Sequence, residues 1–537
     1  MRKRPFTVGA AFESGTLYAA EEKEYHIYPS DCREVTGHGF APVDEPVAAA
    51  FFLEGVQDVT IDLKGAKLVF HGRIAPFILS DCKNIRLKNF SVDYDRPYYT
   101  QAELVERDET GITVRVSDGF PYSVEGGCFV AESEFWRQRL EGEHCLIQPY
   151  DKTTLSPAYG AGCILAACNF CDSINPPMPV RILHAEQMGK LVRFSGEFPE
   201  SWKAGLMLEF MHEKRDKNAI LAERCEKVEV SGVRLLHCAA MGFVGMFCRD
   251  ILLERFDMYL SGGEKGLVTA NADSVHCFHC EGKIVIRDCI FESMLDDAVN
   301  IHGNYNVVES AAGEKLVLRS YAAALGFIRW YKAGDRLNVY RGKTQETRGT
   351  FTVKEVNYES GAIYVTADAA IPAEAGDVVE NAAVPELLIE NCIAGRNRPR
   401  GFLLSSGGKT VVRGCTFSDC DCAIHFTGDT NYWYESGPVR DVTIEGCIFD
   451  NCGYCGQPYA IVVSPDFEPT EKAPYYHKNI KIVGNTFRTF TGGLLQARRA
   501  EGIVFKDNRV IESRAYPQAG LAPVAVTECG ETQIENI

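Results

Sequence analysis

Apolar and polar residues alternate along most of this chain, in short runs that stop at glycine, asparagine or aspartate. A period of two over four to eight residues marks a strand with one buried face. Stretches with a 3.6-residue period are few, and the pattern predicts one short helix at Glu132–Arg139.

The strand-like runs repeat. Ile286-Arg287-Asp288-Cys289-Ile290-Phe291 matches Ile389-Glu390-Asn391-Cys392-Ile393-Ala394, then Val412-Arg413-Gly414-Cys415-Thr416-Phe417, Ile444-Glu445-Gly446-Cys447-Ile448-Phe449 and Ile482-Val483-Gly484-Asn485-Thr486-Phe487. Weaker copies start at Leu87 and Phe505. The shared order is apolar, variable, turn residue, Cys or Asn, variable, apolar. Cys392 to Cys415 is a step of 23 residues, as is Asn485 to Asn508; the steps of 32 and 38 between them read as the same unit with a loop added. Short strands at such a period, with almost no helix, predict a parallel β-helix. Each rung buries its apolar residues only by stacking on the next, about 4.8 Å away. The Cys and Asn residues are then expected to form an internal ladder, since Cys is small and readily buried.

Two stretches break the repeat, from about Tyr98 to Leu221 and from about Tyr305 to Pro385. Both alternate strands and turns, as in Ile112–Val116, Leu191–Phe194, Lys315–Leu318 and Ala362–Val365. They predict two small antiparallel β-barrels or sandwiches inserted into the helix. The expected division is 1–97 and 222–304 for the first helical parts, 98–221 and 305–385 for the inserts, and 386–537 for the last rungs.

Length agrees with an elongated repeat, because 537 residues exceed what one compact core usually holds. A net charge of −17 argues against nucleic acid as partner, whose backbone needs a basic surface, and leaves a neutral sugar open. No window of 18 uninterrupted apolar residues predicts a membrane span. The basic start Met1-Arg2-Lys3-Arg4 is followed by too short an apolar run for an export signal, and Glu13 ends it. With an odd count of 21 cysteines, free thiols in a reducing cytoplasm are expected; had a signal been removed, the compartment would be periplasmic or extracellular. The close pairs Cys277/Cys280, Cys420/Cys422 and Cys452/Cys455 could suggest zinc, but the ladder explains them better, so no metal or other cofactor is expected. Homo-oligomerisation stays open.

Candidate chemistry gathers at Ser293–Asn304. Asp296 and Asp297 stand side by side at a turn, followed by a strand with Asn300 and His302 on one face. Adjacent carboxylates repel when ionised, so their retention beside polar groups points to acid/base work. The segment has a copy at Cys420–Asp429, in which Cys422 replaces Asp297 and Thr427 replaces His302. One rung earlier lies Asn271-Ala272-Asp273-Ser274-Val275-His276. Asp273 precedes Asp296 by 23 residues and Asp297 by 24, which stacks three carboxylates on one face, roughly 5–10 Å apart. Inverting glycosidases separate acid and base by about 6.5–9.5 Å to admit a water. His276 is expected near Asn300 and His425. A merely polar ladder on a solvent face is the structural alternative.

Together with Arg398-Pro399-Arg400-Gly401 and Asn431-Tyr432-Trp433-Tyr434-Glu435-Ser436-Gly437-Pro438, these motifs resemble the core of glycoside hydrolase family 110, best over about Val228 to Phe505. The resemblance implies a right-handed parallel β-helix with barrel insertions. It also implies an inverting exo-α-galactosidase that removes α-1,3-linked galactose from glycans. Carried onto this chain, it implies catalytic carboxylates at Asp273, Asp296 and Asp297, a pair of which would activate water. The general acid is left among the remaining aspartate, Glu435 and a glutamate of the second insert such as Glu309. Substrate contacts fall to Asn271, His276, Asn300, His302, Asn304, Arg400, Glu435 and Trp433, the last offering an apolar face to a sugar ring. This sequence departs from the family in its missing export signal and its many cysteines.

Three other readings compete for these residues. A polygalacturonase also sets Asn-x-Asp, Asp-Asp and His-Gly on adjacent rungs, but no Arg-Ile-Lys follows here to bind a uronate. A non-catalytic adhesin needs no carboxylate cluster. A calcium-dependent lyase would use the aspartates as metal ligands.

Overall fold

The computed structural model describes all residues except 40–44, 142–145, 169–178, 212–214, 216, 261–265, 321–327, 360, 454, 468–472 and 537. Among the described residues the only helix is a single 3₁₀ turn, Pro29–Asp31. Two long parallel sheets run side by side. Each turn of chain adds one strand to each, so Arg249–Met258 is followed by Val275–Phe278, and Glu281–Arg287 by Val299–Asn304. Register is kept along the column: Ile251 faces Ile284, Ile284 faces Leu387, and Leu387 faces Thr410. The chain is all-β, and its rungs coil as a parallel β-helix.

The repeat motif is explained by the backbone. Its turn residue is left-handed in rung after rung: Asn89 (φ 56°), Gly232 (63°), Asp288 (55°), Asn391 (55°), Gly414 (60°), Gly446 (62°), Gly484 (66°) and Asp507 (54°). Only Gly, Asn and Asp visit this region at low cost, which is why the column is restricted to them in these rungs. Arg255 (48°) is the exception. The next position points inward. Cys289, Cys392, Cys415 and Cys447 are buried there, and each of the last three hands its S–H to a carbonyl of the rung before. Asn485 and Asn508 continue the column, the Asn485 side chain taking the Cys447 N–H at 2.9 Å. The predicted ladder is therefore present. A parallel column stacks Phe417, Phe449 and Phe487 at 5.2 and 4.6 Å between ring centroids. Truncating one such buried ring typically costs about 3–5 kcal/mol.

The chain leaves the helix after Lys83–Tyr94 and rejoins it at Ile220–Glu223, whose residues pair in register with Phe77–Ser80. Between these points, strands from Tyr99–Asp108 to Met207–Met211 build an eight-stranded sheet. The segment predicted to be helical, Glu132–Arg139, is instead the bend of a hairpin in which Glu132 pairs with Arg137. The reason is local. Arg137 bridges Glu125 and Glu132 across strands, and Trp136 is buried, stacked on Tyr98 at 5.4 Å. The chain leaves again directly after Val299–Asn304, forms a closed six-stranded barrel from Asn306–Ala312 to Val378–Asn381, and returns at Glu386–Glu390. No helix of the described residues is long and apolar enough to cross a membrane.

Candidate active site

The site lies where the two sheets hand the chain over. Ser293 adopts φ 64° and reverses the chain after Ile290–Glu292. Met294 then bridges Ala270, which bridges Cys238, so three successive turns are held in register. That register places Asp273 beside Asp297: the Asp297 N–H donates to Asp273 Oδ1 at 3.1 Å. One oxygen each of Asp273, Asp296 and Asp297 lies within 4.8 Å of the others. The stack expected from the spacing exists, but it is tighter than an acid and base separated by a water.

Two guanidiniums hold the cluster. Arg215 Nη1 donates to Asp296 Oδ2 at 2.7 Å. Arg400, opposite Cys422 in the next strand pair, forks onto Asp297 at 2.8 and 2.9 Å. Arg398 donates to the Leu295 carbonyl at 3.3 Å, and Asn397 to the Asp296 carbonyl at 3.2 Å. Arg400, read from the sequence as a sugar contact, is thus engaged with a carboxylate. These charges sort the three acids. Burial raises Asp296, but Arg215, Arg398 and Arg400 outweigh it and hold this carboxyl below the usual range. Burial, opposed by Arg400 and joined by the Asp296 and Asp273 charges, pushes Asp297 up to about 8. Asp273, with burial and the Asp296 charge against its anion, is pushed well above the carboxylate range. The shift at Asp297 opposes its geometry, since a two-point fork favours the anion. The direction holds because this carboxyl is 1% exposed between two other acids.

A second polar chain leads away from Asp273. Its Oδ2 lies 2.5 Å from His276 Nδ1, His276 Nε2 lies 3.0 Å from His302 Nε2, and Glu435 Oε1 lies 3.6 Å from His302 Nε2. Burial pushes both imidazoles below their ordinary value. Glu435 reaches the site because its strand pairs antiparallel with the end of Val299–Asn304, Asn304 facing Glu435.

Other sequence candidates take varied places. Asn271 is buried and donates to the Tyr98 carbonyl at 3.1 Å. His276, Asn300, Leu403 and His425 follow one another across the strands, as expected apart from the intervening leucine. Asn300 and Asn304 are buried, and neither Asn300 Oδ1 nor the Asn304 amide has a hydrogen-bond partner among the described residues. Trp433 is 57% exposed, edge-to-face with Tyr432 at 4.7 Å. Their loop is tied together by the Asp429 carboxylate, which accepts the backbone N–H groups of Asn431, Tyr432, Trp433 and Tyr434. Glu309 stays on the barrel surface, 3.4 Å from Arg319.

Sequence reading missed Arg215 and Arg398. Arg398 opens the Arg-Pro-Arg-Gly motif, two residues before Arg400. Arg215 lies in the last residues of the first insert, 81 residues before its partner, and nothing in the repeat points to it. Three carboxylate oxygens within 4.8 Å could also be offered to a cation. Here Arg215 and Arg400 already supply positive charge to two of the three.

A parallel β-helix that gathers three acids, two arginines and two histidines at one face of its rungs is the framework of a β-helix glycoside hydrolase. The model of the right handed beta helix region matches residues 374–536, and that of the GLAA-B beta-barrel domain I matches residues 100–208. The chain is 30% identical over 489 residues to alpha-1,3-galactosidase A of Shewanella woodyi, covering 89% of this chain and 78% of that protein. It is 30% identical to alpha-1,3-galactosidase A of Bacteroides fragilis, covering 90% and 79%. Among solved structures, the Yersinia enterocolitica Family 28 exopolygalacturonase aligns at 9% identity and a TM-score of 0.39, over 100% of this chain and 72% of that one. The chain belongs to glycoside hydrolase family 110 and is a glycoside hydrolase, which leaves no place for the adhesin and lyase readings.

Proposed function

We propose that this enzyme removes terminal α-1,3-linked galactose from glycans, acting from the chain end and inverting the anomeric centre. The galactose and its linkage are supported by the relatives, which are named alpha-1,3-galactosidases. The observation that carries the mechanism is the arginine-held cluster. Asp296, an anion beside Arg215, takes the proton of the attacking water, and Asp297, held in direction by the Arg400 fork, orients that water beside it.

The acid comes from outside the cluster. Oxygens within 4.8 Å can share a water but leave no room for the water and the glycosidic bond together between acid and base, and both oxygens of Asp273 are already engaged. Glu435 approaches the same His302 nitrogen that His276 meets, two residues after the exposed Trp433, and protonates the departing oxygen. Exo-action is supported by two elements that border the site: Arg215 comes from the end of the first insert, and the strand of Glu435 pairs with the end of Val299–Asn304.

A second reading has one observation in its favour. Carboxyls at about 5–5.5 Å are the spacing of retaining enzymes, in which one acts as nucleophile, and this cluster is nearer to it. A panel of linear and fucose-branched α-galactosides, with substrates capped at the non-reducing end as controls, tests the substrate. Release of free galactose from uncapped α-1,3-linked substrates alone is expected; cleavage of capped chains, or none of any α-galactoside, would refute the reading.

A further inference from the structure

His276 and His302 sit on neighbouring strands, their rings 5.0 Å apart and crossed at 87°. They form a continuous line with Asp273 at one end and Glu435 at the other. The protons in this line follow from what each partner can do. The Gly303 carbonyl, 2.6 Å from His302 Nδ1, can only accept, so that nitrogen carries a hydrogen. A neutral His302 then has a bare Nε2, which accepts from His276 Nε2–H. A neutral His276 in turn presents a bare Nδ1 to Asp273. The short bond at 2.5 Å must therefore be donated by Asp273, as a carboxylic acid. The burial of all three groups favours this neutral arrangement.

The same line has a second arrangement with the same number of protons. Asp273 Oδ2–H breaks as His276 Nδ1–H forms; His276 Nε2–H breaks as His302 Nε2–H forms. Asp273 is left an anion, and His302 becomes an imidazolium 3.6 Å from the Glu435 carboxylate. We propose that His276 and His302 are a proton relay, which lets Asp273, at the base side of the site, share one proton with the Glu435 side. This rests on the roles proposed above for Glu435 and the aspartate cluster. The two histidines act through those carboxyls and are positioning residues.

Among the described residues, opposed charges bias the two arrangements. Asp296, Arg215 and Arg400 face Asp273; Asp296 and Asp297, with Glu435, face His276; Glu435 faces His302, and His279 lies near it. Asp296 disfavours the anion at Asp273, whereas Arg215, Arg400 and Glu435 favour the separated charges. Near cancellation of such opposed biases is what a relay needs.

The full chain, labelled with ¹⁵N at histidine, gives a direct test without substrate. Wild type is expected to show bare nitrogens at His276 Nδ1 and His302 Nε2 near neutral pH. Glu435→Gln removes the charge that draws the proton toward His302, so at fixed pH the exchange-averaged signals of His276 Nδ1 and His302 Nε2 should both move further toward the bare-nitrogen position. In kinetics, His302→Gln, which can still donate to Gly303 and accept from His276 but cannot take up a proton, should lose kcat as His302→Phe does, with KM alike in both. A His276 protonated on Nδ1 in wild type throughout pH 5–8, or signals indifferent to Glu435→Gln, would overturn the relay. If Glu435→Gln fails to fold, the wild-type nitrogen pattern alone still decides. Inactivity on every α-galactoside would instead refute the proposed function and leave these spectra unaffected.

Discussion

Arg400 donates two parallel N–H bonds to the carboxylate of Asp297, at 2.8 and 2.9 Å, from the strand Arg400–Ser405 to the turn just before the strand Val299–Asn304. A fork of this kind fixes both the charge and the direction of a carboxylate, which a point charge cannot do. Arg400→Lys keeps the charge and loses the fork. It is expected to lower kcat/KM on an activated α-galactoside by about 100-fold, the scale of a misplacement near 1 Å. Steady-state kinetics check this; a change under threefold would show that the orientation of Asp297 is not used.

Arg215 works on Asp296 through charge more than direction. Its guanidinium is among the groups that hold this carboxyl low. Removing it raises the pH at which Asp296 ionises, and a base must be ionised to act. Arg215→Ala should therefore move the acid limb of the kcat/KM–pH profile upward by about one unit or more. A fall in rate with an unmoved limb would mean that Asp296 is not the group titrating there.

The left-handed column makes a sharper prediction about stability. Gly446 has φ 62°, and a Cβ added there would meet nothing closer than the Gly414 N–H at 4.0 Å. Space is not the constraint, so conformation is. Gly446→Asn should be tolerated within a few tenths of a kcal/mol, and Gly446→Val should cost about 1–2 kcal/mol. Denaturant titration of the two variants checks the difference, and equal losses would refute it.

The carboxylate cluster also predicts a response to metal removal. With Arg215 and Arg400 paired to two of the three acids, exhaustive chelation should leave kcat/KM unchanged. Loss of activity restored by calcium would show that a cation competes successfully with the arginines.

Much of the fold was legible in the sequence because the helix is a repeat. The column at Asp288, Asn391, Gly414 and Gly446 announces itself through the few residues that accept positive φ. The pairing of Asp273 with Asp297 follows from counting one rung. Arg215 was not legible, since it enters from a segment with no period to count along. The true tightness of the cluster was not legible either. Rung spacing sets where backbones lie, but side chains drawn together by two guanidiniums close the remaining distance. Glu132–Arg139 failed for a related reason: its charged pair belongs to a hairpin, and no short-range pattern separates that from a helical turn.

The central claim is that water bound by Asp296 and Asp297 attacks the sugar directly. ¹H NMR of the first product formed from an α-galactoside, recorded before mutarotation, tests it most directly. Direct attack yields β-galactose first, and Asp296→Asn should abolish its formation. If α-galactose appears first, a covalent intermediate intervenes, and the three aspartates and Glu435 do not act as water activators and acid in a single displacement.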